Sequence, residues 1–174
     1  IFDDHRSILE NPTIRRISPI TAVLQPPLQT PVTGRPIANL SFAVNFAIGG
    51  LRVEGYHLWN IAVHILTALT LFGVLRRLVP RMSVASQESI DRLAFVCAMV
   101  WMVHPLNTEA VNYITQRTES MMGLFYLLTL YASIRAWDTK ASGRWYALAV
   151  IANLCGVCTK ESMITAPVII VLCD

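Results

Sequence analysis

The sequence predicts an all-α protein: a polytopic membrane helix bundle with a long first extracytoplasmic loop containing short interfacial helices. Three observations carry that prediction. Hydrophobic residues make up 54% of the 174 positions and charged residues only 14%; with a mean hydropathy of +0.50, the chain is too apolar for an ordinary soluble domain. Four apolar segments, at 56–79, 93–103 with its flanks, 121–137 and 145–158, reach or approach the roughly 20 helical residues that cross a hydrocarbon layer. The stretch before them is polar to mixed and rich in proline and glycine.

Two regions follow: residues 1–55, a first extracytoplasmic loop with an acidic motif, and residues 56–174, a transmembrane helix bundle expected to be part of a larger membrane domain. The run "NPTIRRISPITAVLQPPLQTPVTGRP" cannot span, since each proline removes a backbone donor that lipid does not replace. Within the loop, "NLSFAVNFAIGG" is expected to form a short amphipathic helix against the membrane surface, ended by Gly49 and Gly50. After the second apolar segment Pro105 breaks the helix, Asn107 is the expected N-cap of a short new one, and Glu109 suits its first turn. The last run, "MITAPVIIVLC", is expected to span in part or to continue beyond the segment. The opening residues lack the basic and apolar regions of a cleavable signal, so an upstream membrane helix ending near Phe2 is expected.

Arg76, Arg77, Arg81 and Arg92 flank one short loop, and Arg135, Lys140 and Arg144 flank another two crossings later. The positive-inside rule assigns both to the cytoplasm. The formal net charge of +3 is small, and with half of the basic residues flanking such short loops it speaks for membrane topology and against a nucleic-acid partner. Helix parity then gathers Asp3, Asp4, Arg35, His104, Glu109, Arg117, Lys160 and Glu161 on the opposite face. Ionisable residues at membrane depth are costly, which makes them candidates for function.

A carboxylate from the Asp3–Asp4 pair at a water-filled cavity can take the proton of an attacking hydroxyl; a solvated loop or helix cap accounts for the same residues without chemistry. Arg35, Arg117 and Lys160 are candidate phosphate ligands, or partners of Glu119, Glu161 and lipid headgroups. His104, Glu109 and Glu161 are secondary candidates. His57 and His64 are seven residues apart, about 10 Å along a helix, too far to share one zinc. No metal site is assigned. The "CGVC" pair lies in an apolar helix without a redox fold around it. Asn39-Leu40-Ser41 is an N-glycosylation sequon, expected to be structural.

Taken in order, "FDDHRSILENP", "GRPIANLSFAVNFAIGGLRVEGYHLWNIAVHILTALTLF", "VHPLNTEAVNYITQRTESMMGLFYLL" and "CTKES" form a specific set. On these motifs the chain resembles the amino-terminal membrane part of the transmembrane and tetratricopeptide-repeat-containing O-mannosyltransferases and their bacterial relatives, in the C superfamily of glycosyltransferases. The resemblance implies a glycosyltransferase C-like bundle in the endoplasmic reticulum or bacterial inner membrane. Its active site would face the lumen or periplasm. It also implies a polyprenyl- or dolichyl-phosphate sugar donor, mannose being the expected sugar, and a protein serine or threonine hydroxyl as acceptor. Carried over, the acidic motif falls on Asp3, the expected base, with Asp4 in support. His57, Asn60, His64, His104, Glu109 and Glu119 match the pattern without an assigned role. Family members also carry tetratricopeptide repeats, absent from these 174 residues.

Two non-catalytic readings stay open. One is a transporter-like bundle whose charges line a path; the other is a membrane anchor presenting repeats to partners. The clustering of charges at helix ends favours the enzyme.

Overall fold

The computed structural model describes residues 4–139 and 142–173. Asp3, the expected base, and Lys140 lie outside them. Among the described residues every regular element is helical.

The N-terminal part is a cap of short turns: a π-helical turn at His5–Leu9, a 3₁₀ turn at Pro12–Ile14 and helix α1 at Ile20–Val23. Helix α2 follows at Pro36–Gly49, opened by a proline whose fixed φ suits the first helical position. Gly50 closes it at a φ of 62°, which side chains rarely adopt; its N–H donates to the Phe46 carbonyl at 2.7 Å. The sequence expectation for α2, a helix resting on a membrane surface, gives way to an internal one. Ala38, Asn39, Ser41, Phe42, Ala43 and Asn45 are buried, because α2 packs against α1 and the Pro12–Ile14 turn.

Asn39 shows how the cap is held. Its Oδ1 accepts from Asn11 Nδ2 at 2.8 Å, and its Nδ2 donates to Thr13 Oγ1 at 2.9 Å and to the Val23 carbonyl at 2.6 Å. The sequon asparagine is therefore spent on packing. An apolar cluster of Ile8, Ile14, Val23, Val32, Phe42, Ala43, Tyr56 and Ile114 then joins the cap to the bundle.

The bundle is built on α3, Val53–Met82, of 30 residues. At 1.5 Å per residue that is roughly 45 Å, more than the roughly 30 Å of a hydrocarbon core. Among the described residues it is the one helix long and apolar enough to cross a membrane. Helix α4, Gln87–Met102, packs on α3; α5, Asn107–Asn112, is short; α6, Arg117–Asp138, packs on α3 and α7, Gly143–Val157; α8, Ala166–Cys173, lies against α6. Four apolar runs were expected to be long enough, or nearly so, to cross. Of these, α4 and α7 have 16 and 15 residues, and α6 has polar first and last turns. Pro105 does part α4 from α5, with Glu109 in the first turn of α5; Asn107 is its first helical residue and Leu106 its cap.

The two arginine loops meet at one end of α3. Arg76 pairs with Asp91 at 2.7 Å, while Arg77 and Arg81 reach Asp138 at 3.6 and 2.8 Å. Hydrogen bonds from Arg76 and then Gln87 hold the Asp91 carboxyl below its usual range. At the α7 terminus, a Cβ on Gly156 would stand 2.7 Å from Met163 Cγ, so a larger residue there would force the buried Met163 side chain to shift.

Asn39→Ala strands the Val23 carbonyl and one Asn11 N–H in the interior, at an expected cost of about 2 kcal/mol or more. Tryptophan-monitored unfolding in detergent should read that loss. The folded wild-type chain should carry no glycan on Asn39, and a mass shift on glycosidase treatment would contradict this packing.

Candidate active site

At the end of α3 opposite the arginine loops, a cavity of about 870 Å³ opens between the cap and the bundle. Asp4, His5, Arg6 and Glu10 line one side, Leu51, Val53, Tyr56 and His57 another, and Asn112 and Ile114 a third. The sequence builds these walls locally: the π-helical turn starts straight after Asp4, the Gly50 turn redirects the chain into α3, and α5 ends at Asn112. Asp4 Oδ1 accepts the Thr115 N–H at 3.0 Å. The cavity thus joins a carboxylate, an arginine and two imidazoles. His5 Nδ1 lies 3.2 Å from Glu10 Oε1.

Beside the cavity wall, Arg117 is fully enclosed. Its Nε donates to Asn60 Oδ1 at 2.9 Å, Nη1 to the Ser41 carbonyl and hydroxyl at 3.3 and 3.4 Å, and Nη2 to the Tyr56 carbonyl at 3.0 Å. Its guanidinium carbon sits 4.6 Å from the Phe42 ring centre and 5.6 Å from those of Tyr56 and Trp59. The phosphate expected at Arg117 would have to displace these neutral partners. Asn60, also fully buried, donates in turn to the carbonyls of Val111 and Tyr113 at 3.3 and 3.1 Å.

The remaining sequence candidates form a second group. Lys160 pairs with Glu119, and Arg35 stands 4.0 Å from Glu161. Lys160 and Glu161 being neighbours, the "GRP", "TKES" and "RTES" motifs meet in one chain of alternating charge. The Ile37 N–H donates to the Cys158 carbonyl at 3.3 Å and ties α2 to this turn. His104 and Glu109 are exposed and neither lines the cavity. His64 stacks on Trp101 with centroids 5.0 Å apart, and its Nε2 lies 2.8 Å from the Met102 carbonyl, which makes it a packing residue. Among the described residues no group of three His, Cys, Asp or Glu is placed to hold a metal ion, and Cys97, Cys155 and Cys158 are free thiols.

Comparison with known proteins supplies the lineage. The chain is 31% identical to protein O-mannosyl-transferase Tmtc1 of Drosophila melanogaster, across 100% of this chain and 20% of that protein. It is 26% identical to TMTC3 of Mus musculus over 95% of this chain and 18% of that one, and 33% identical to TMTC2 of Mus musculus over 75% and 15%. The chain is homologous to a stretch of the TMTC protein O-mannosyl-transferases. It spans about a fifth of the length of these relatives. No family model and no solved structure matches it.

Against the TMTC background, two cavity residues escaped sequence reasoning. Arg6 sits two residues past Asp4, inside the quoted acidic motif, and was overlooked because single arginines in a polar loop carry no signal. His57 matched the motif but reads as one of a histidine pair, and only the Gly50 turn sets it against Asp4's wall. Single-cysteine variants in a Cys-free background separate cavity from interior. Arg6→Cys and His57→Cys should react with a water-soluble maleimide within minutes, and Arg117→Cys only after unfolding; equal labelling of all three would contradict the cavity boundary.

Proposed function

We propose that this segment forms the extracytoplasmic end of a membrane glycosyltransferase, which moves a sugar from a polyprenyl-phosphate donor to a protein serine or threonine hydroxyl. Mannose is the sugar indicated by the names of the TMTC relatives. The observation that carries this reading is the Asp4 carboxylate in a wall of the 870 Å³ cavity. In it, Asp4 takes the proton from the acceptor hydroxyl as the hydroxyl oxygen bonds to the anomeric carbon and the phosphate departs with the electron pair of the broken bond. Asp3 adjoins this carboxylate in the chain and shares the acidic motif.

The growing charge on the leaving phosphate needs cations poised beside it. Arg6 and His57, which line the same cavity, take that role in this reading. Arg35 and Lys160 join by exchanging Glu161 and Glu119 for phosphate oxygens. Helix α3 crosses the bilayer with the cavity at its lumenal or periplasmic end, and the shorter helices complete a polytopic bundle together with the rest of the protein. The lipid tail runs along the exposed apolar faces of the helices.

The test uses membranes holding a full-length protein with this segment, labelled polyprenyl-phosphate mannose and a serine/threonine-rich acceptor. Asp4→Asn should lower transfer by roughly 10²-fold or more, the range for a lost general base, while inserting normally by protease mapping. Undiminished transfer by Asp4→Asn would overturn the assignment.

A further inference from the structure

We infer that Asn60 and Arg117 are positioning residues that set the Asp4 carboxylate, and that Arg117 does so without contacting donor phosphate. The inference rests on the reading of Asp4 as the base. Asp4 takes its bond from the backbone N–H of Thr115, and Thr115 lies in the irregular stretch between α5 and α6. A backbone donor is placed only as well as its turn is placed.

Two side chains hold that turn. From α3, Asn60 Nδ2 donates to the carbonyls of Val111 and Tyr113, on the near side of Thr115. Its Oδ1 accepts Arg117 Nε–H on the far side. The Arg117 guanidinium is itself braced on the carbonyls of Ser41 in α2 and Tyr56 in α3, and the Arg117 backbone N–H donates to the Ile114 carbonyl at 3.2 Å. Ile114 is buried in the apolar cluster with Tyr56 and Phe42. The amide of Asn60 therefore grips the turn from both sides, and Arg117 locks that amide in orientation. Thr118 Oγ1 adds a bond to the Thr115 carbonyl at 3.3 Å.

Such a clamp leaves a signature in the kinetics. Withdrawing the Thr115 N–H lets the Asp4 carboxylate leave its place beside the acceptor hydroxyl, which slows the chemical step and leaves donor and acceptor binding in place. The other titratable and charged groups lining the cavity are His5, Arg6 and Glu10 from the cap and His57 from α3, while the α5–α6 side offers Asn112, Ile114 and the Thr115 N–H. Asn60→Ala and Arg117→Lys leave every one of these in place and do not change the net charge.

The experiment measures kcat and KM for donor and acceptor, per folded molecule, in membranes holding the full-length protein, for wild type, Asn60→Ala, Arg117→Lys and Asp4→Asn. Expected for both clamp variants are a fall in kcat of about 10-fold or more and KM values within about threefold of wild type. Arg117→Lys retains charge and bulk, and so reports on the clamp even where the more severe Asn60→Ala lowers the yield of folded protein. A rise in donor KM alone would make Arg117 a phosphate ligand and overturn the inference. So would activity that falls only in step with the yield of folded protein, at an unchanged kcat per folded molecule. In both cases inactive Asp4→Asn leaves the base assignment standing; active Asp4→Asn removes that assignment and this inference together.

Discussion

A guanidinium enclosed among apolar helices is the constraint from which the rest of this structure follows. Removing such a charge from water costs several kcal/mol even after relaxation, and among the described residues Arg117 meets oxygen dipoles and aromatic faces instead of a carboxylate. Hydrogen bonds to a charged group contribute about 1.5–3 kcal/mol each and ring faces about 0.5–2 kcal/mol each, so the burial is tolerable only with most partners present together. Those partners come from α2 and α3. The guanidinium thereby sets where α6 starts relative to both, and with it the turn that carries Thr115.

The molecule separates two kinds of polar chemistry along α3. At one end arginines and aspartates pair directly and close the loops between helices. At the other, a carboxylate, an arginine and imidazoles line a cavity, and the turn that carries Thr115 is held from behind by the Asn60 amide. The paired arginines and aspartates serve packing. Charges gathered around a cavity can act on a group that enters it, which is what a site for transferring a polar group requires.

Much of this was legible in the sequence. Apolar length located α3 within three residues at each end, and Pro105 marked the break before α5. Local pattern could not show which cations were enclosed. Arg117 differs from Arg35 because Asn60, far away in sequence, and three aromatic rings converge on it. Nor could amphipathicity reveal that α2 packs inside a cap, since the surfaces that cover it come from turns dictated by proline and by Asn11 and Asn39. Of the polytopic expectation the structure bears out the all-helical part, and among the described residues α3 alone is long and apolar enough to cross a membrane. Asp3, named from the motif as base, lies outside the described residues, and the cavity offers Asp4.

The bond between Asp4 and Thr115 spans 111 positions, and that separation bears on how the protein is made. During synthesis the acidic turn emerges before α2, α3, α4 and α5, and the Thr115 N–H is made only after them. Closing so large a loop is slow and entropically costly. The contact between Asp4 and Thr115 therefore forms only once all four of those helices have been made, and its rate depends on how they pack.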